Sequence, residues 1–343
     1  MKILITTDPE IPVPPILYGG AERLASDLID AYTDKNHQVF LIANRESKHS
    51  RVEAFYPWKS SSSVGYKNIV KNALQLRKVY KQVKPDIVHC FSRLLYIYPL
   101  LFTSNALFVK RYGRFISPKS IKLAKCLAGE RLQLVAAASH MLNHLPKKSQ
   151  WKVIYNFVDT DFYCDSNCEK SGLFFLGRIE DIKGVNEAIQ IANKLGELLI
   201  IAGNIEPEHQ KYFEEKVKPF LNDKITYIGS IDNKRKKEIF QSVKATLFPI
   251  KWEEPFGIVM AESMACGTPV IGFRRGSVPE VVKNNESGFV VESVSEMIEA
   301  VKKIDKIDRN NVRKYAEKMF SRDNAAQQYL DLFEKLIEKN NEK

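Results

Sequence analysis

Two glutamates, Glu254 and Glu262, stand eight positions apart in the segment TLFPIKWEEPFGIVMAESMACGTPVIGFRRGSVPE, residues 246–280. The apolar run ending at Phe248-Pro249 reads as a strand and the polar stretch after it as a turn. A helix is predicted to open near Phe256-Gly257. Glu254 then lies just before that helix and Glu262 inside it. Glycine at 257 lets a ligand approach the free amides of the helix N-terminus, where the dipole favours phosphate. A carboxylate past the first turn can accept hydrogen bonds from vicinal hydroxyls such as those of a ribose. On the plainer view, two solvated glutamates flank a helix start, and the pair alone is weak. EPFG, the trailing GTPVIG turn, Gly276 and Glu280 strengthen it.

The elements that must position these residues follow from an alternation of short apolar runs with longer amphipathic ones. KILITT, HQVFLIA, DIVHCF, ALFVK, LQLVAAA and WKVIY read as strands of a first half, with helices predicted at 20–34, 66–83 and 139–145. GLFFLG, LLIIAG, ITYIG, ATLFPI, PVIGF and GFVVE read as strands of a second half. Helices are expected there at 184–195, 207–220, 233–241, 257–266 and 293–303. Buried strands alternating with helices predict an α/β fold with a doubly wound parallel sheet in each half. The polar, turn-rich stretch NFVDTDFYCDSNCEK marks the boundary near 156–170. This places an N-terminal Rossmann-like domain at 1–156 and a second at 157–324. The amphipathic run 309–338 needs an apolar surface to cover, and a helix over about 325–343 is expected to complete the first domain.

The 246–280 segment resembles the signature of the retaining family-four glycosyltransferases, whose two-Rossmann-domain fold is called GT-B. PPILYGGAERLASDL resembles that family's glycine-rich loop and first helix. VIYNFVDTDFY resembles its interdomain hinge, with Phe157 where glycine is usual. FLGRIEDIKGVNEAI resembles the opening of its second domain. The resemblance implies transfer of a sugar from a nucleotide diphosphate donor, most commonly a UDP-sugar, in a cleft between the domains. Arg178 and Lys183, beside Gly177 and Gly184, would meet the growing diphosphate charge together with helix amides. No metal is then required. The DTD at 159–161 belongs to the hinge and does not read as a metal-binding pair. Glu254 would contact hydroxyls of the transferred sugar. Phe256, Gly257, Ile258 and Val259 would line the sugar-diphosphate, Glu262 would hold the ribose, and the base would lie near Ile231. The leaving phosphate would draw the acceptor's proton, so no covalent nucleophile is assigned.

In the first half, Gly19 and Gly20 precede the first helix and are expected to admit donor phosphate and acceptor. His89 ends the strand DIVHCF. The family carries a second histidine two residues on, where this chain has Phe91. His89 is therefore either its catalytic substitute or a satisfied core histidine. His140 and His144 stand four apart, a spacing that could hold a metal on a helix, but no third ligand is evident. Five scattered cysteines give neither a disulfide framework nor a zinc motif.

Residues 1–152 hold 24 lysines and arginines against 10 acids, a net +14, whereas 153–343 hold 28 against 31, a net −3. So uneven a balance points to an anionic partner for the first half. On the predicted helix 66–83, Lys67, Lys71, Arg77, Lys78 and Lys81 gather opposite Ile69, Ala73, Leu76, Val79, Tyr80 and Val83. Lys110, Arg111, Arg114, Lys119, Lys122, Lys125 and Arg131 form a second cluster. An anionic membrane leaflet or a lipid-diphosphate or polyanionic acceptor is expected there, and a glycan or small-molecule acceptor remains open. Nucleic acid is disfavoured because the aromatics sit in apparent core strands. No apolar run reaches membrane-spanning length, and MKILITT reads as a first strand rather than a signal peptide, so a cytoplasmic enzyme, peripheral at the inner membrane face, is expected. A sugar-nucleotide epimerase on the same fold is the alternative.

Overall fold

Runs of Val, Ile, Leu and Phe that alternate with amphipathic segments have to be buried on both faces, and parallel sheets between helices do this. The computed structural model describes every residue except Leu17, Tyr18, Phe115, Pro146, Lys147, Asn167 and Lys343. Leu17 and Tyr18 of the glycine-rich loop motif thus lie outside the described residues. The chain forms two units, Met1–Asn156 with Arg322–Lys343, and Phe157–Ser321.

In the first unit, β1 (Lys2–Thr6), β2 (Gln38–Ala43), β3 (Ala54–Pro57), β4 (Ile87–Cys90), β5 (Phe108–Tyr112), β6 (Leu132–Ala136) and β7 (Trp151–Val153) form one sheet. Its order is β3-β2-β1-β4-β5-β6-β7, all parallel. The helices are α1 (Gly20–Asp34), α2 (Tyr66–Val83), α3 (Tyr98–Thr103) and α4 (Pro118–Ala128). Strand order reverses between β1 and β4, the topological switch point at which open α/β sheets place ligands.

The second unit repeats the plan with β8 (Leu173–Leu176), β9 (Leu199–Ala202), β10 (Ile225–Tyr227), β11 (Ala245–Phe248), β12 (Val270–Phe273) and β13 (Gly288–Val291). Their order is β10-β9-β8-β11-β12-β13, again parallel, with the switch between β8 and β11. Around the sheet lie α5 (Val185–Leu195), α6 (Gln210–Lys216), α7 (Asn233–Ser242), α8 (Ile258–Ala265), α9 (Val278–Val281), α10 (Val294–Val301) and α11 (Arg309–Phe320).

The helical run 309–338 is not continuous. It breaks at Ser321, whose backbone is extended, and α12 (Arg322–Asn341) follows as part of the first unit. There α12 buries Ala325, Tyr329, Phe333 and Leu336, and the Phe333 ring stands edge-on to Tyr32 of α1 with centroids 5.8 Å apart.

Two expectations are corrected. Residues 139–145 form only a 3-10 turn, Ser139–Leu142, so His140 and His144 do not share an α-helical face. The segment 207–220 is broken into a 3-10 turn, α6 and a second 3-10 turn at Lys218–Phe220, where Pro219 cannot continue the helix. β3, α3 and α4 were not anticipated, because their runs are short or rich in lysine.

Candidate functional site

In the second unit the loops leaving β8, β11 and β12 meet at the switch point. Gly184, in the left-handed conformation (φ 82°), turns the first loop into α5, and a Cβ there would lie 2.0 Å from the carbonyl oxygen of Pro249. The amide of Lys251 donates to Ile182 O at 2.9 Å. Gly276 sits so close to Glu254 that a Cβ would fall 2.4 Å from its amide nitrogen, and the Ser277 amide donates to Glu254 O at 3.0 Å.

These contacts bring together side chains 71 residues apart. Lys183 Nζ lies 2.6 Å from Glu254 Oε2, both side chains being largely buried. Trp252 Nε1 donates to the same oxygen at 2.9 Å, and its ring stands 5.0 Å from the lysine ammonium. Glu254 is thereby fixed at one oxygen, and a cation is held where strand ends and a helix start converge. Arg178 lies 2.8 Å from Glu180 Oε1, and His209 Nε2 stands 3.2 Å from Glu180 Oε2. Glu180 is buried and the arginine is a third exposed, so the guanidinium is anchored from below with its outer edge in solvent.

Gly257 (φ 71°) caps α8 without any side-chain hydrogen bond, so the first amides of that helix are left to solvent or a ligand. Ile258 and Val259 open the helix, half-buried. Phe256 is different: its ring is buried against Phe320 and its carbonyl accepts from Ser277 Oγ at 2.7 Å. Its side chain is therefore a packing group, and only its backbone could line a ligand. Glu262 is buried one turn into α8, where Oε1 accepts from Tyr163 Oη at 3.1 Å and from Lys236 Nζ. Both bonds fall on one oxygen. Ile231 is half-buried between β10 and α7. Gly177 follows β8, and its amide donates to Ala202 O at 3.1 Å. Asp159 accepts from the amides of Asp161 and Phe162, both at 3.0 Å, which makes DTD a local turn. Among the described residues no group of three or more His, Cys, Asp or Glu is placed to hold a metal.

In the first unit, Gly19 (φ 144°) caps α1 and Gly20 begins it. A Cβ on Gly19 would meet Pro15 at 2.8 Å and Ile11 at 2.9 Å, so the loop closes tightly on the helix start. Glu22, buried in the first turn, has its carboxyl pushed up chiefly by burial and further by nearby Asp8. At the ends of β4 and β5, Lys110 is buried and donates to the carbonyls of Ser92 (2.6 Å), Arg111 (2.9 Å) and Phe91 (3.2 Å).

His89, left open between a catalytic and a core role, lies in the interior of the first unit. The ring is wholly buried among Tyr32, Phe91, Tyr329 and Phe333, with centroids 4.5–6.2 Å away. Its Nδ1 meets Tyr32 Oη at 3.3 Å, and burial, reinforced by Arg111 and Lys110, pushes its pKa well down. This burial favours the core-histidine alternative over the catalytic one. Phe91 packs on this ring and under the Arg111 guanidinium, 5.3 Å away.

Trp252, Lys236, Tyr163, Glu180 and Ser277 were missed. Trp252 could have been suspected, as an aromatic two residues before Glu254 in a polar turn. Lys236 and Tyr163 meet Glu262 only through the fold, across 26 and 99 residues.

Residues 18–162 match the family described as Glycosyltransferase Family 4, and residues 165–327 match Glycosyl transferases group 1. N-acetyl-alpha-D-glucosaminyl L-malate synthase of Bacillus anthracis is 26% identical over 184 residues, 48% of this chain and 47% of that protein, so this match spans about half of each. The sucrose-phosphate synthase of Thermosynechococcus elongatus superposes with a TM-score of 0.81 at 16% identity, over 99% of this chain and 100% of that one. Anabaena Alr3699/HepE in complex with UDP and glucose gives a TM-score of 0.75 at 18% identity, over 98% and 100%. These structural likenesses speak to the GT-B fold, and the two family matches, end to end along most of the sequence, establish that this chain belongs to the group 1, family-four glycosyltransferases.

Proposed function

We propose that this chain is a retaining glycosyltransferase that moves a sugar from a UDP-sugar to a glycan, lipid-linked or small-molecule acceptor, without a metal ion and without covalent catalysis. The observation that carries this reading is the Lys183–Glu254–Trp252 cluster beside the open N-terminus of α8. A diphosphate at this place would meet Lys183, the outer edge of Arg178 and the amides of Ile258 and Val259. Cleavage of the sugar C1–O bond leaves charge on the diphosphate, which fixed cations and amide dipoles stabilise without reorganising. Lys183 would exchange Glu254 for phosphate and free that carboxylate for sugar hydroxyls. Glu262, with both protein bonds on Oε1, keeps Oε2 for the ribose hydroxyls. The acceptor oxygen bonds to C1 on the face the diphosphate leaves, and its proton passes to the leaving phosphate oxygen. The bound nucleotide in HepE, a protein of the same fold, supports UDP. The excess of positive charge on the first unit supports a cytoplasmic enzyme held at an anionic membrane leaflet.

Incubation with UDP-, GDP- and ADP-sugars, with and without chelator, tests this. Release of UDP from a UDP-sugar, with retained anomeric configuration in the product and no loss in EDTA, is the expected result. An isomerised nucleotide sugar, or activity abolished by chelation and restored by a divalent cation, would replace it.

A further inference from the structure

We infer that the surface formed by α2, α3 and α4 is the face of the first unit that docks on an anionic lipid bilayer. This deepens the proposed membrane attachment and does not depend on the sugar-transfer chemistry.

The fold sorts the basic residues that the sequence leaves in two clusters. Lys110 and Arg111 are buried. Arg131 is consumed by the carbonyls of Ser104 and Leu101, at 2.6 and 3.1 Å, and Lys125 by those of Gly129 and Leu132, at 3.0 and 2.9 Å. Arg114 lies in the loop after β5, near Asp8 and Glu22, and the rest lie on α2 and α4. Arg77 of α2 donates to Thr103 of α3 at 3.2 Å, and Tyr98 of α3 donates to Ser120 O of α4 at 3.1 Å, so the three helices are side by side.

On α2 the exposed residues Lys67, Lys71, Leu74, Lys78 and Lys81 recur at steps of four and three, one stripe within about 80° of arc at 100° per residue. On α4, Lys119, Lys122 and Leu123 are exposed in the same way. None of the three helices contains an aspartate or glutamate. Among the described residues these six lysines have no acidic partner.

Large apolar side chains stand among them in water: Phe102 at the end of α3 is 68% exposed, Leu74 and Leu123 are each 53% exposed, and Leu95 is 45% exposed. Flexible ammonium groups around protruding aliphatic and aromatic side chains suit a surface with diffuse negative charge above hydrocarbon. A nucleic-acid groove would call for arginine forks, and the exposed cations of these helices are lysines.

Flotation of the full-length protein with vesicles of phosphatidylcholine alone, or with about 30% phosphatidylglycerol, tests the assignment near 0.1 M salt, where the screening length is ~10 Å. Binding is expected to the anionic vesicles only. Each lysine of the α2 stripe changed to Gln should weaken it about fivefold, so Lys67→Gln/Lys71→Gln/Lys78→Gln/Lys81→Gln should no longer float. Phe102→Ser/Leu123→Ser should lower binding with all charges intact. Circular-dichroism melting and UDP release from donor in solution are followed in parallel, and both should match the unaltered protein. Absence of binding to anionic vesicles by the folded protein overturns the proposal. So does binding that these variants do not change, or equal displacement from vesicles by duplex DNA and by anionic lipid. Flotation without UDP release would sink the catalytic reading and leave this surface standing.

Discussion

Lys183 is bound to Glu254 where the diphosphate is proposed to lie, so its charge is held in place by a group the substrate also needs. Lys183→Met should lower kcat for donor turnover by about a hundredfold or more, the scale of losing one preorganised donor to developing charge. Arg178→Met should fall in the same range, and steady-state UDP release measures both. Glu254→Gln keeps the Trp252 contact but removes the ion pair. It is expected to reduce kcat more than KM, because sugar hydroxyl contacts that tighten in the transition state are lost. A second residue-scale expectation concerns Lys110, which burial lowers to about 8. Between that value and the ordinary 10.5 the unfolded chain holds a proton the native one has shed, so stability rises with pH across this window. Above pH 10 the buried tyrosines, Tyr96 and Tyr329 among them pushed up to about 12, reverse the trend, since only the unfolded chain then ionises. Cys90 and Cys266, each pushed up to about 12 by burial, oppose the Lys110 contribution from about pH 9, where only the unfolded chain's thiols ionise. Urea unfolding of the unaltered protein and of Lys110→Met should therefore diverge by about 2 kcal/mol between about pH 7.5 and 9.5, whatever the variant's own stability.

At the scale of elements, the second unit's loops are held by backbone approach more than by side chains. Gly184 combines a left-handed φ with a Pro249 carbonyl 2.0 Å from where a Cβ would be. Gly184→Ala should therefore cost about 2–4 kcal/mol and raise the donor KM, because Lys183 moves with the turn. Gly196→Ala is the matched control. It too has positive φ (67°), but its Cβ would meet nothing nearer than Lys224 Nζ at 3.8 Å, so only about 1 kcal/mol of strain is expected. Denaturant midpoints compare the two. The helix start of α8 was legible in the sequence, since a glycine after a polar turn and before an apolar run is a boundary with a mechanism. The 139–145 helix was not. Its apolar residues fit a helical period, yet the segment is too short for helix formation to outweigh its nucleation cost.

Over the whole molecule, charge is as unevenly placed as the sequence indicated, but the surface that displays it is smaller than the count of lysines and arginines suggests. The net +14 of residues 1–152 includes Lys110 and Arg111 in the interior and Arg131 and Lys125 bound to carbonyls. No helix among the described residues is long and apolar enough to cross a membrane. Amide hydrogen exchange on the whole chain separates the two ligand classes. Saturation with UDP should raise protection in 177–184 and 249–262, whereas anionic vesicles should protect 66–83 and 98–128. The ligand contribution approaches about 2.7 kcal/mol at a hundredfold excess over Kd.

The periods of the hydrophobic runs, and the glycines and glutamates near 250–262, determined by themselves that this chain builds parallel α/β layers and carries a group 1 glycosyltransferase signature. Those are local properties: a strand period, a turn chemistry and a helix boundary are written in a few consecutive residues. Only the tertiary structure decided that Lys183 lies on Glu254, that Lys236 and Tyr163 share one oxygen of Glu262, and that His89 sits in an aromatic core. These pairings join residues 26 to 99 positions apart, or depend on what α1 and α12 cover. Long-range contact and burial are fixed by packing, and no spacing along a single chain encodes which buried surface closes over which side chain.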